Sequence, residues 1–171
     1  MKKLQNNWHQ SQRGFFAGQL YEEMKKNKKV VLITADLGFG MWDKIQQDFP
    51  DRFINTGASE CCALGITVGY AIQGYIPFCY SITNFLLYRG FEWIRNYIDY
   101  EKFNVKLIGS GRDYQYSEDG WTHQCPDAKK VMDLFPNIVQ YWPNDKKEVP
   151  PLVKKMITND RPTFLSLNRS K

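Results

Sequence analysis

Short continuous apolar runs alternate along the chain with longer stretches whose apolar positions recur every three or four residues. Val30–Thr34 is a β-branched and aliphatic run, the pattern of a parallel strand covered on both faces. Residues 53–55, 76–81, 105–108, 138–141 and 163–167 repeat it. Between them, Phe15, Phe16, Leu20, Tyr21 and Met24 have helical spacing, and Ser11 is placed to cap that helix. Further helices are predicted over 41–49, stopped by Pro50, over 60–73, ended by Gly74, and over 85–100. Two more are predicted over 126–135, with Pro126 at its start, and from Asn144 or Asp145 to Thr158. Strands alternating with helices predict an α/β fold: an open, mostly parallel sheet of about six strands with helices on both faces.

The 60–73 stretch breaks the amphipathic rule. It reads Glu60-Cys61-Cys62-Ala63-Leu64-Gly65-Ile66-Thr67-Val68-Gly69-Tyr70-Ala71, small and apolar all round, as in a buried helix. Glu60 is the only carboxylate between Asp51 and Glu92. It stands just past a strand end, where an open α/β sheet gathers its ligand chemistry. The plainer reading is an acid that favours the helix dipole. The same edge collects Asp36, residues 55–60 and 81–88, Arg169, and a polar loop over 109–125. Loops that long in compact domains are usually functional. Within it, Asp119 and His123 flank Gly120 and could face a polyhydroxylated or phosphorylated substrate, although turns built on Asp and Thr explain the same residues.

Composition narrows the classes. At 171 residues the chain is one domain in size, and 43% hydrophobic with 24% charged is ordinary for a globular protein. The 15% aromatic share exceeds what a core needs and leaves rings for a binding face or a subunit interface. A net charge of +5 rests largely on short solvated lysine runs at 25–29 and 146–147. These suit anionic small molecules, and no basic stripe with interleaved aromatics indicates nucleic acid. None of the four cysteines has metal-ligand spacing, so no metal site is expected in this chain, and adjacent Cys61 and Cys62 read as reduced core. Met1 to Asn7 lacks an apolar signal core, and no apolar run approaches the roughly 18 residues of a membrane span, so a cytoplasmic protein without membrane contact is expected. Gly109-Ser110-Gly111 begins like a dinucleotide fingerprint but lacks the third glycine and the helix. No Walker A sequence and no nucleophile elbow occur, and two histidines supply a hydrolytic triad poorly.

Four stretches taken in order resemble the pyrimidine-binding domain of the transketolase family. They are Arg52-Phe53-Ile54-Asn55-Thr56-Gly57-Ala58-Ser59-Glu60, Pro77-Phe78, Ile94-Arg95-Asn96 and Glu118-Asp119-Gly120-Trp121-Thr122-His123-Gln124. The resemblance runs from about Arg13 to Arg169. It implies thiamine diphosphate as cofactor, with Glu60 where the family's glutamate bonds N1′ of the aminopyrimidine and activates the ring. Phe85 and Tyr88 fall where family aromatics stack on that ring, and a three-residue spacing puts both on one helix face. Ile82 replaces a further family aromatic. Asp36 and Leu37 match a pair that approaches the cofactor from the neighbouring subunit. Asp119 and His123 match substrate contacts, and His123 lies near the reacting carbon. Arg13 and Arg169 match arginines that hold a sugar phosphate. A family serine that helps hold phosphate is replaced by Gly40.

The family's Gly-Asp-Gly sequence, which with a later Asn holds metal and diphosphate, does not occur. Residues 1–171 are therefore expected to form a single pyrimidine-binding domain, without the diphosphate-binding and C-terminal domains. The resemblance then implies a split enzyme. A separate diphosphate-binding subunit would hold the diphosphate with Mg2+ or Ca2+, in a heterotetramer of two plus two. The activity implied is transfer of a two-carbon ketol unit between sugars or sugar phosphates, by a chain active only with its partner. A synthase using a 2-oxo acid donor such as pyruvate, and a non-catalytic module that stabilises a partner, are the alternatives.

Overall fold

The computed structural model describes residues 8–169, so the reading of Met1 to Asn7 lies outside the described residues. The chain runs α1 (Gln12–Lys26), β1 (Val30–Thr34), α2 (Asp43–Asp48), β2 (Phe53–Asn55), α3 (Glu60–Ile72) and β3 (Ile76–Ile82). It continues through a helical arm containing α4 (Phe91–Trp93), then β4 (Lys106–Ser110), α5 (Ala128–Met132), β5 (Val139–Tyr141), α6 (Val149–Thr158) and β6 (Thr163–Leu167). The six strands form one wholly parallel sheet in the order β2-β1-β3-β4-β6-β5.

Strand residues alternate between two cores. Val31, Ile33, Leu107 and Phe164 point to the face covered by α3, the helical arm and α5. Val30, Leu32, Phe78, Ile108 and Leu165 point to the face covered by α1, α2 and α6. Both faces are thus sealed, and all residues of β1, β4 and β6 are buried. Lys106 is among them. Its Nζ donates to Asn159 O, Asn159 Oδ1 and Arg161 O, tying the start of β4 to the end of α6.

The chain steps from β1 outward to β2 and then back across to β3. The strand order therefore reverses between β1 and β3, where an open α/β sheet opens a crevice at its carboxyl edge. The loop into α3 and the end of β3 both meet there.

Ser11 caps α1 as predicted, its Oγ accepting from the Gly14 amide. The helix expected over 126–135 is only α5, a short piece, with Pro126 in the turn before it. Two departures matter for the site. The arm over 85–100 is not a regular α-helix: Phe85–Arg89 and Ile94–Tyr100 wind as π-helix on either side of α4. Such wide turns are rare and frequent at functional sites. And α3 is not buried all round. Glu60, Ala63, Leu64, Thr67 and Val68 face inward, whereas Cys61, Cys62, Gly69 and Ile72 are exposed. One side of α3 packs on β1 and β3 and a flank meets the helical arm, where Trp93 lies against Gly65; the remaining side is open among the described residues. Cys61 and Cys62 are accordingly surface thiols, and only Cys79 and Cys125 are buried.

Candidate active site

Glu60 is the first residue of α3 and is 2% exposed. Gly57, at φ 70, turns the chain from β2 toward it, a conformation that favours glycine. Both carboxylate oxygens are engaged. Ser81, near the end of β3, donates its hydroxyl to Oε1 at 2.9 Å. Arg89 donates Nη1 to Oε2 at 2.7 Å. The place is desolvated but polar.

Arg89 stands four residues after Phe85, a spacing that helical winding brings to one face, and its guanidinium lies over the Phe85 ring, 3.9 Å from the centroid. The Cys61 thiol donates to the Arg89 carbonyl and ties that turn to α3. On the π-turn the expected pairing of Phe85 with Tyr88 gives way to one of Phe85 with Arg89. Tyr88 hydrogen-bonds Asp127 instead, and burial followed by that carboxylate raises its phenol above the ordinary range.

The 109–125 loop is pinned at both ends to the residues after β3. Thr83 donates to the Gly111 carbonyl and Asn84 to the Gln124 carbonyl, each at 2.6 Å. An isolated bridge between Asp113 and Cys125 closes the loop on itself. Arg112 anchors it to the scaffold, bonding Ser166 and the Pro143 carbonyl. These ties bring His123 edge-on to Phe85, with ring centroids 4.7 Å apart. Thr122 shares a hydrogen bond with His123 Nδ1, and no described residue bonds its other ring nitrogen.

Beyond His123 lies Tyr116, 6.1 Å away between centroids. The Arg169 guanidinium sits 4.2 Å over the Tyr116 ring and pairs with Asp119 at 2.9 Å. The Tyr116 hydroxyl meets the Ser110 hydroxyl at 3.1 Å. Burial pushes the Tyr80 phenol up to about 12. Arg13 Nε is buried without a hydrogen-bond partner among the described residues. Glu60, Phe85, His123, Asp119 and Arg169 thus lie along one continuous line of contacts through Arg89 and Tyr116, and no side-chain hydrogen bond among the described residues joins Arg13 to it. Arg89, Ser81, Ser110 and Tyr116 complete that line; Ser81, Ser110 and Tyr116 fall within the 81–88 and 109–125 stretches that the sequence singles out, whereas Arg89 lies just outside them.

Asp36 and Leu37 stand apart. Asp36 adopts φ 55, and its backbone amide and carboxylate both bond the Asn55 side chain. The Leu37 carbonyl accepts from Thr34 and Trp42. Both residues crown β1 without a hydrogen bond to the Glu60 cluster. Gly40, at φ 70, has open space where a side chain would project, so backbone conformation rather than crowding disfavours serine there. Among the described residues no group of three or more His, Cys, Asp or Glu assembles that could hold a metal ion, and no helix is long and apolar enough to cross a membrane.

Over residues 10–171 the chain matches the family described as transketolase, pyrimidine binding domain. It is 27% identical over 168 residues to the 6-deoxy-6-sulfo-D-fructose transketolase subunit SqwH of Clostridium sp. (strain MSTE9), covering 98% of this chain and 51% of that one. It is 26% identical over 156 residues to an apulose-4-phosphate transketolase subunit of Phocaeicola vulgatus, covering 91% and 50%. A solved structure described as a split gene transketolase, inactive beta4 tetramer, superposes with a TM-score of 0.83 at 30% identity, covering 94% of this chain and 52% of that one. The chain spans about half the length of these relatives.

Proposed function

The chain belongs to the transketolase pyrimidine-binding domain family, and from that membership we propose that it is the pyrimidine-binding subunit of a split, thiamine-diphosphate-dependent enzyme moving a two-carbon ketol unit between sugars. Residues 1–171 supply one such domain. A separate subunit supplies the diphosphate site with its Mg2+ or Ca2+, two of each chain assembling together. The two relatives named as transketolase subunits, and the one named split gene, support this division.

One observation carries the cofactor assignment. A planar, nitrogen-bearing group already fits between Phe85 and Glu60: the Arg89 guanidinium stacks on the ring and donates an N–H to the carboxylate. An aminopyrimidine ring makes the same two demands, a flat hydrophobic face and a carboxyl at its edge. When bound, the cofactor would supply an electron sink for cleaving the bond beside a ketose carbonyl. The rest falls to this chain. Glu60 bonds the ring's N1′, and Ser81 fixes the orientation of its carboxyl. Phe85 supports the ring face, and Tyr88 closes the aromatic wall beside it. His123 meets the substrate near the reacting carbon and can pass a proton there. Asp119, Arg169 and Arg13 receive the far end of the sugar. Asp36 and Leu37 reach toward the cofactor of a neighbouring subunit.

The test is reconstitution with the diphosphate-binding partner. Glu60→Ala is expected to abolish ketol transfer while the complex still assembles; full activity in that variant overturns the proposal. Offering pyruvate in place of a ketose separates the 2-oxo acid reading. Calorimetry separates a non-catalytic module, which would show no cofactor-dependent gain.

A further inference from the structure

Arg89 lies where the proposed reading puts the cofactor ring. Its guanidinium is 3.9 Å over Phe85 and 2.7 Å from Glu60, so both surfaces that would grip an aminopyrimidine are in use. A second planar group cannot share that space. We propose that Arg89 is a displaceable plug: it occupies the ring slot, satisfies Glu60 there, and must swing out before the ring can seat. This rests on the assignment of Phe85 and Glu60 as the ring site.

Three features support displacement over a permanent strut. The Arg89 side chain is 50% exposed while Glu60 is 2% exposed, so the partner is fixed and the arginine has a path to water. The Arg89 backbone is held by the Cys61 thiol through its carbonyl, so motion is confined to the flexible stem. The exchange also conserves contacts. A ring that stacks on Phe85 and offers a nitrogen edge to Glu60 replaces what leaves, and the freed guanidinium regains hydration. Without Arg89, Glu60 would keep only Ser81 as a partner, and buried carboxylates left unpaired are costly. The plug thus protects the ring-free chain at the expense of ring affinity.

Two measurements on the full-length chain test this. The first is thermal unfolding without ligand. Arg89→Met is expected to lower the melting temperature by several degrees, and the same change in a Glu60→Gln background is expected to lower it far less, because the pair is then already broken. Equal losses in both backgrounds overturn the plug. The second is an NMR titration with thiamine, which carries the ring without the diphosphate. Arg89→Met is expected to bind thiamine several-fold more tightly than the parent, and Arg89→Lys, too compact to stack, to fall between. Weaker or unchanged binding by Arg89→Met overturns the plug, while loss of binding in Glu60→Gln keeps the ring assignment. Thiamine binding that ignores Glu60→Gln, or fails in every variant, overturns the ring assignment and the plug with it.

Discussion

The Ser81 hydroxyl meets the Glu60 carboxylate at 2.9 Å, joining the end of β3 to the start of α3. Both residues are almost fully buried, so this bond fixes an acid that solvent cannot orient. Replacing Ser81 by Ala deletes the donor and leaves the acceptor in place. Hydrogen bonds to charged groups contribute about 1.5–3 kcal/mol, and a buried acceptor left bare costs on that order. Ser81→Ala is therefore expected to lose roughly 2 kcal/mol in denaturant unfolding. With the partner subunit it is expected to retain cofactor binding and lose turnover, because the carboxyl is present but free to rotate. Unchanged stability and turnover together would show that Arg89 alone positions Glu60.

Asp119 and Arg169 form an ion pair at 2.9 Å, with side chains 41% and 35% exposed. The pair partly neutralises the arginine that the proposed reading assigns to phosphate. Asp119→Asn is expected to free Arg169 and lower KM for a phosphorylated ketose relative to its unphosphorylated counterpart. Arg169→Ala is expected to raise KM for the phosphorylated substrate about tenfold, the scale of one charge-assisted hydrogen bond, with little change for the neutral sugar. A parallel shift for both sugars would assign the two residues to loop stability instead.

The sheet was legible because buried parallel strands write themselves as uninterrupted apolar runs: the predicted Val30–Thr34, Phe53–Asn55 and Thr163–Leu167 are the observed β1, β2 and β6. Glu60 was legible as a lone acid after a strand, and His123 as part of an unusual polar loop. Arg89 was not. Phe85 pairs with positions 88 and 89 alike on a helical turn, and no residue pattern says that position 89 is the one that also reaches Glu60 across from α3. Ser110 and Tyr116 lay inside the singled-out 109–125 stretch, but their pairing was hidden for a different reason. It forms only when the loop folds back on the end of β4, and that path is not written locally. The exposure of Cys61 and Cys62 runs against expectation because apolar composition reports a helix's content, not how many sides its neighbours cover.

That exposure can be counted chemically. Cys61 and Cys62 are exposed, while Cys79 and Cys125 are buried, with thiols that burial pushes up to about 12. The thiolate is the reactive form. Iodoacetamide at pH 8 is expected to modify two cysteines in the native chain and four after unfolding, read by mass spectrometry with peptide mapping. Early labelling of Cys125 would mean that the 109–125 loop opens readily around the Asp113 bridge.

The same buried groups set the alkaline limit of the fold. Cys79, Cys125 and Tyr80 each ionise near 12 in the folded chain, mainly because burial penalises their charged forms. Their ordinary values are 9.0 for the thiols and 10.0 for the phenol. Between those values and 12 the unfolded chain has released protons that the folded chain still holds. The unfolded state then binds fewer protons, and stability falls as pH rises. Burial pulls Lys106 down to about 7 from its ordinary 10.5, so over that span the unfolded chain holds a proton that the folded one lacks and stability gains with pH; the net loss is therefore shallow above pH 9 and steepens above pH 10 as Tyr80 joins and the Lys106 gain ends. Each group contributes up to about 1.4 kcal/mol per pH step within its window. Unfolding midpoints measured from pH 8 to 11 are expected to follow that course. Cys79→Ala is expected to lower the midpoint at pH 8, where the thiol contributes only packing, yet flatten the decline above pH 9 by removing one of these proton differences. A variant that keeps the parent's full alkaline slope would mean that Cys79 reaches solvent-like conditions in the folded chain, against its position in the centre of β3.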